Sequence, residues 1–225
     1  MKTNEVCFIV PSYNEGKVLE DTIFPLLEYG RVLVVDDGSY LPTSISKTTL
    51  NRIHYLKHYI NRGQGAAIET GFEYVRKSMP HIKYLVTFDA DGQHNVLDAI
   101  EMIKVAKNGY DVVLGSRFLS KVNTVPIFKR KILQLFAANY SFVNRKKITD
   151  RHFGLRVLTR VFVEKNQLIM SGYEHADEIL DLTIKEDWKY CEYPCSVTYS
   201  DYSKSKGQSL LNGLNILFNK VLKKL

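Results

Sequence analysis

The sequence predicts an α/β protein built on an open, mostly parallel sheet flanked by helices. Three observations carry this. Short β-branched runs alternate with segments of helical period through the first half of the chain, the pattern of parallel strands joined by right-handed crossovers. Polar clusters follow directly on those apolar runs, at the strand ends where open α/β sheets form their ligand crevice. The 225 residues are 45% hydrophobic and 24% charged, enough for one large domain with a real core and unlike a disordered chain.

In chain order, residues 6–11 form an apolar run ended by Pro11, and 15–29 carry helical spacing. RVLVVD at 31–36 reads as a buried parallel strand and 53–57 as a weaker one. Residues 65–78 are a helix stopped by Pro80. KYLVTFD at 83–89 is a strand, 96–108 a helix, and DVVLG at 111–115 a fifth strand. Beyond 117 the pattern changes. Residues 126–143 read as a helix mixing basic and aromatic side chains, 174–185 as a helix and 188–199 as strand-like. A polar stretch at 200–208 precedes a last amphipathic helix at 209–225, with Leu210, Leu214, Leu217, Val221 and Leu225 on one face. The expected organisation is a domain over 1–208 and this appended helix.

Charge is distributed unevenly. Residues 117–160 hold 11 basic side chains and a single acid, Asp150, while 1–116 and 161–225 each carry a slight acidic excess. The whole surplus of +7 therefore lies in one stretch, which marks an anion-facing edge. It lacks nucleic-acid motifs, so no nucleic-acid partner is expected. Three cysteines (Cys7, Cys191, Cys195) make no disulfide framework and favour a reducing compartment. Neither a signal peptide nor a spanning segment is expected.

The chemistry concentrates at the strand ends. Asp89 and Asp91, two residues apart, can hold a hard divalent cation whose remaining positions go to water and phosphate, with Gln93 or His94 completing the shell. Asp-Gly pairs are also common in turns. Asp36-Asp37-Gly38-Ser39 offers acceptors for a base or ribose and a tight backbone, and the helix that opens at PSYNE (11–15) suits anions. Tyr13 can lie on a base. NRGQGAA at 61–67 fails the dinucleotide pattern, because Ile68 stands where a third small residue belongs. Cys191 and Cys195 have no partners for zinc, and His175 beside Asp177 and Glu178 is the only histidine near acids in that region.

Together these segments resemble family 2 glycosyltransferases of the GT-A fold, particularly the branch of dolichyl- and polyprenyl-phosphate sugar synthases. The resemblance spans about residues 5–210. It rests on PSYNE at 11–15, DDGS at 36–39, NRGQGAAIETG at 61–71, DADGQH at 89–94 and GSRF at 115–118. TD...GLR at 149–156, HADEIL at 175–180 and YSDYSKSKGQS at 199–209 extend it. The resemblance implies that Pro11, Tyr13, Glu15, Asp37 and Gly65 hold the nucleotide-sugar together with Asp89. It assigns Mg²⁺ or Mn²⁺ to Asp89, Asp91 and Gln93, the acceptor phosphate to Arg117, Arg130 and Lys131, and closure over the donor to Lys206. Ser200 stands where such synthases often carry an arginine, with Lys204 and Lys206 as replacements.

The implied reaction is inverting, metal-dependent transfer from a nucleotide-sugar, of UDP-glucose or UDP-N-acetylglucosamine type rather than GDP-mannose, to undecaprenyl or another polyprenyl phosphate for cell-surface polysaccharide. A phosphate acceptor is already ionised and needs cations to place it rather than a base. The alternative is extension of a glycan hydroxyl, which wants a carboxylate base such as Asp177 or Glu178. The implied setting is cytoplasmic, at the inner face of the cell membrane, beside a small membrane protein.

Overall fold

The computed structural model describes residues 4–41, 44–120 and 127–197, without the side chains of 127–129. The 200–208 stretch, Lys206 and the helix expected at 209–225 lie outside the described residues. Along the chain run β1 (Val6–Ser12), α1 (Val18–Ile23), a 3₁₀ turn (Pro25–Glu28), β2 (Arg31–Asp36), α2 (Lys47–Leu50), β3 (His54–Lys57) and α3 (Gln64–Ser78). They are followed by β4 (Tyr84–Thr87), α4 (Val96–Lys107), β5 (Val112–Ser116), α5 (Ile127–Asn144), β6 (Arg156–Thr159), α6 (Arg160–Lys165), α7 (His175–Lys185) and β7 (Tyr190–Pro194).

The seven strands form one sheet in the order β3-β2-β1-β4-β6-β5-β7. All neighbours are parallel except around β6, which runs against both β4 and β5. The expected fold class holds, with three local corrections. The helix expected at 15–29 is broken, since Pro25 cannot donate a backbone hydrogen bond and the chain tightens into a 3₁₀ turn. The fourth strand ends at Thr87, so Asp89 sits beyond the ladder rather than in it. The antiparallel β6 was not expected at all.

Strand alternation sorts the core into two layers. Phe8, Val10, Val32, Val34, Val86 and Val157 point to one face, where Leu19 and Ile23 of α1 and Ala99, Met102 and Ile103 of α4 cover them. Cys7, Ile9, Leu33, Val35, Leu85 and Leu158 point to the other, beneath Ile68, Phe72 and Val75 of α3, Phe162 of α6 and Ile179 and Leu180 of α7. Each such side chain contributes roughly 1.5–3 kcal/mol through burial. The two covered faces leave the carboxyl ends of β1, β2, β4 and β5 as a rim for polar groups.

Candidate active site

The rim is assembled by backbone and side-chain clasps between successive strand ends. Beyond β1 and β2, Asp37 N donates to the Ser12 carbonyl at 2.8 Å. Asn14 N donates to Ser39 Oγ at 2.8 Å, and Asn14 Oδ1 accepts from Tyr40 N and Leu41 N at 3.1 and 3.2 Å. Asn14 takes a positive φ of 56° to do this, which short polar residues tolerate. Tyr13 is thereby left partly exposed, its ring edge-on to Tyr40 at 6.3 Å. Pro11 is buried within β1, opposite Val35.

Both acids of DDGS are buried. Asp36 accepts from Ser39 N at 2.8 Å and from the Tyr55 hydroxyl at 2.6 Å, with Lys57 3.4 Å away. Burial acts to raise its pKa, but the hydrogen bonds from Ser39 and Tyr55 prevail and hold it below the ordinary carboxylate value. Asp37, expected at the nucleotide, spends both oxygens on the 58–63 loop. It accepts from Arg62 N at 2.9 Å and Gly63 N at 2.7 Å, and lies 2.7 Å from His58 Nδ1. Gly65 likewise serves packing: a β-carbon there would collide with the Met170 carbonyl. The amino end of α3 is turned to the segment between α6 and α7, Ala66 N donating to the Ser171 carbonyl at 3.1 Å.

Asp89 is held on both of its oxygens. Gln64 Nε2, from the first turn of α3, donates to its Oδ1 at 2.8 Å, and His94 Nε2 lies 2.9 Å from its Oδ2. Burial opposes its ionisation, yet the charge and hydrogen bond of His94, with the fields of His175 and Arg156, hold its pKa below the ordinary value. Asp91 differs. Burial, then the neighbouring Asp89 charge, push it up to about 6, and Glu15 adds to the same repulsion. Gln93 N donates to Asp91 Oδ1 at 3.0 Å, so the backbone of the turn aims that carboxylate.

Two half-buried carboxylates, the charge of Asp89 raising the pKa of Asp91, form a donor set that a divalent cation relieves, and the residues fit one. Among the described residues no cluster of three or more His, Cys, Asp or Glu side chains is present. The protein share of such a site is therefore Asp89 and Asp91, with Gln93 half-buried beside them. That leaves most oxygen positions for phosphate and water, as hard cations at phosphate sites commonly have it.

On the far side of β4, Arg117 leaves the end of β5 and clasps the buried Asp150 in bidentate fashion, Nε and Nη2 donating at 2.7 and 2.8 Å. Its guanidinium also lies 5.3 Å from the Phe153 ring. Asp177 is paired with Arg151 at 2.7 Å. Glu178 accepts from the backbone of Ile169 and Met170 at 2.8 and 2.9 Å. Arg130 and Lys131 ride on α5, half-buried and exposed respectively. Tyr140 donates to Asp181 at 2.6 Å and Lys146, just past α5, meets Asp187, just past α7, at 2.9 Å, so the latter part of α5 is tied to α7 and the turn after it. Arg130 lies ten residues before Tyr140, about 15 Å along the helix axis.

Three contributors escaped sequence reasoning: Gln64, Asp150 and Arg156; His94, named from the sequence beside the acidic pair, is a hydrogen-bond partner of Asp89. Arg156 opens β6 and is 2% exposed, among the fields of Asp89, Asp177 and Asp150. Burial lowers its pKa to about 10, still leaving it cationic. The TD...GLR segment marked its neighbourhood but not its place behind Asp89.

The rim thus has one half built by the ends of β1 and β2 and an acidic pair beyond β4. Residues 7–166 match the model of glycosyl transferase family 2, and the chain belongs to that family; it is a glycosyltransferase. An uncharacterized protein of Methanocaldococcus jannaschii is 33% identical across 99% of this chain and 93% of its own length. The UDP-N-acetylglucosamine–dolichyl-phosphate N-acetylglucosaminyltransferase of Methanococcus voltae is 27% identical across 98% of this chain and 96% of its own. Among solved structures, glucosyl-3-phosphoglycerate synthase of Mycobacterium tuberculosis, in complex with Mn²⁺, UDP and phosphoglyceric acid, matches with a TM-score of 0.66. It is 14% identical, over 90% of this chain and 74% of that one. That likeness establishes the GT-A fold.

Proposed function

We propose that the enzyme moves a sugar, with inversion, from a UDP-sugar to a polyprenyl phosphate at a membrane surface. The observation that carries the acceptor class is the state of the two candidate bases. Glu178 is bound on both oxygens by the backbone at 169–170, and Asp177 is held by Arg151. An acceptor that is already ionised needs neither. The surplus of cations in 117–160 supplies what it does need.

In this reading Tyr13, Glu15 and the loop fixed by Asp37 receive the nucleoside. Pro11 and Gly65 shape the backbone around it. Asp89, Asp91 and Gln93 hold Mg²⁺ or Mn²⁺, which when bound neutralises charge on the leaving diphosphate. Arg117, its plane fixed by Asp150, and Arg130 and Lys131 from α5 orient the acceptor phosphate for attack at the anomeric carbon. Lys206 remains a proposed donor-closing residue. The preference for UDP-N-acetylglucosamine or UDP-glucose over GDP-mannose draws support from the Methanococcus voltae relative. No membrane-protein partner belongs to this reading.

The test is transfer of radiolabelled sugar from UDP-N-acetylglucosamine, UDP-glucose and GDP-mannose to polyprenyl phosphate, with Mn²⁺ and with chelator. Labelled lipid that Asp91→Asn abolishes and Asp177→Asn leaves largely intact is expected. Labelling of a glycan hydroxyl acceptor alone, lost with Asp177→Asn, would reject it.

A further inference from the structure

The turn that carries Asp150 is itself held by a carboxylate from another strand. Glu192 stands in β7, at the edge of the sheet, opposite Leu114 of β5. Cys191 and Tyr193 pack with one core layer and Tyr190 with the other, so Glu192 turns to the side of Tyr140 and Ile148. An acid on an edge strand ordinarily reaches water. This one gathers three donors on Oε1: Thr149 N at 2.8 Å, Thr149 Oγ1 at 2.9 Å and Asp150 N at 3.2 Å.

The same turn is bound to the end of β5. A hydroxyl has one proton to give. Thr149 spends its proton on Glu192, so the 2.7 Å contact between the Ser116 and Thr149 hydroxyls is a donation from Ser116. Ser116 Oγ in turn accepts from Phe118 N at 3.2 Å. Asp150, its backbone fixed by Glu192, accepts from Arg117 three times: from Nε at 2.7 Å, Nη2 at 2.8 Å and the backbone N at 3.1 Å. Arg117 is therefore bracketed, Ser116 and Phe118 on either side of it tied to Thr149, and its own side chain tied to Asp150. The arrangement sets two acids against each other. Burial first, and also the charge of Asp150, push the Glu192 pKa up against the hydrogen bonds that lower it. Local conflict of this kind is kept where a site requires it.

We propose that Glu192 is a positioning residue that sets Arg117 for its phosphate through the Thr149–Asp150 turn. This rests on the acceptor reading of Arg117 above and extends it to β7. A guanidinium grips a phosphate through two nitrogens in one plane, so its plane has to be set before the phosphate arrives. The rings of Phe118 and Phe153, 5.6 and 5.3 Å from the Arg117 guanidinium, bound its place, and Asp150 fixes the edge it presents.

Two measurements on the full-length protein test this. In steady-state transfer to a short-chain, water-soluble polyprenyl phosphate, Glu192→Leu should raise the acceptor KM about tenfold and leave the donor KM within about twofold. Glu192→Gln, which keeps an acceptor oxygen, should recover most of the loss. On an Arg117→Ala background Glu192→Leu should add nothing. By nuclear magnetic resonance, the Arg117 Nε–H signal, assigned by its loss in Arg117→Lys, should move in Glu192→Leu and return in Glu192→Gln. Should Glu192→Leu not fold, Thr149→Val, which removes the hydroxyl link, is read in the same two ways. An unmoved signal would overturn the proposal, as would an unchanged acceptor KM in an active enzyme. So would a glutamine variant as impaired as the leucine one, or losses that add to those of Arg117→Ala. A matched rise of donor KM in Arg117→Ala and Glu192→Leu rejects the acceptor reading while supporting the positioning. If no form transfers sugar to any polyprenyl phosphate, the catalytic reading fails and the Arg117 signal still decides this one.

Discussion

The imidazole of His94 lies 2.9 Å from Asp89 Oδ2, edge-on to Phe88 and Phe153 at 5.3 and 4.8 Å between ring centres. An ionised carboxylate only accepts, so Nε2 carries the proton. The other ring nitrogen, Nδ1, is buried with no hydrogen-bond partner among the described residues. The two phenyl rings fix the imidazole, and the imidazole fixes one oxygen of Asp89 while Gln64 fixes the other.

His94 therefore acts as a positioning residue for the acidic pair. His94→Gln, whose amide nitrogen reaches about as far as Nε2, should retain Mn²⁺ binding within a few-fold. His94→Leu should weaken it about tenfold or more, as loss of an outer partner of a metal ligand commonly does. Titration of Mn²⁺ by electron paramagnetic resonance checks this without turnover.

Gly154 sets the space in which Asp89 stands. A β-carbon at this position would run into the Asp89 carboxylate, and the backbone cannot retreat, because its carbonyl accepts from the Thr87 hydroxyl at 2.6 Å. Gly154→Ala should lower kcat/KM about a hundredfold, the scale on which small misplacements act. The melting temperature, read by calorimetry, should change far less.

The Arg117–Asp150 pair joins the site to stability. Asp150→Ala removes the buried carboxylate that the largely buried Arg117 guanidinium clasps and should cost about 3–5 kcal/mol in urea unfolding. Replacing both residues, as Arg117→Met/Asp150→Leu, should recover part of that stability. It should recover no transfer, which separates the structural role from the catalytic one.

His175 predicts an acid-sensitive fold. Burial first, then the charge of Arg156, lower its pKa from 6.5 to about 4, against smaller opposing contributions from Gly172, Asp89 and Glu174. Above pH 6.5 folded and unfolded chains both keep it neutral. Between 6.5 and about 4 the unfolded chain takes up a proton that the folded one refuses, so stability falls with pH by up to about 3 kcal/mol. His175→Asn, which can still donate to the Gly172 carbonyl that Nδ1 now reaches at 2.9 Å, should flatten this slope. Urea midpoints in chelator from pH 7.5 to 4 measure it.

The first half of the fold was legible because its strands obey local rules. Runs such as Arg31–Asp36 are uninterrupted and β-branched, and each is followed at once by its polar cluster. β6 was not, since Arg156–Thr159 is four residues long, begins with a charge and continues directly into α6. Asp89 and Asp91 were found from their spacing. Their supports were hidden for a physical reason: Gln64 is 25 residues away and Arg156 arrives on a strand whose reversed direction no pattern announces. Asp37 was named from its residue type, but its bonds to the backbone of Arg62 and Gly63, 25 and 26 residues on, were out of reach of any local pattern.

The reversal of β6 has a further consequence. It turns β5 and β6 into the two arms of a single hairpin, with Leu114 opposite Arg156, and everything from 117 to 155 becomes the bend. Closing a longer bend costs only about 0.6 kcal/mol for each doubling of its length. The register of the ladder is set outside that excursion, which is tied to the body through buried Tyr140, Ile148 and Phe153 and through Glu192 of β7. In the proposed reading, the exposed helix and cations between these anchors can thus be lengthened or re-aimed toward an acceptor without shifting a strand.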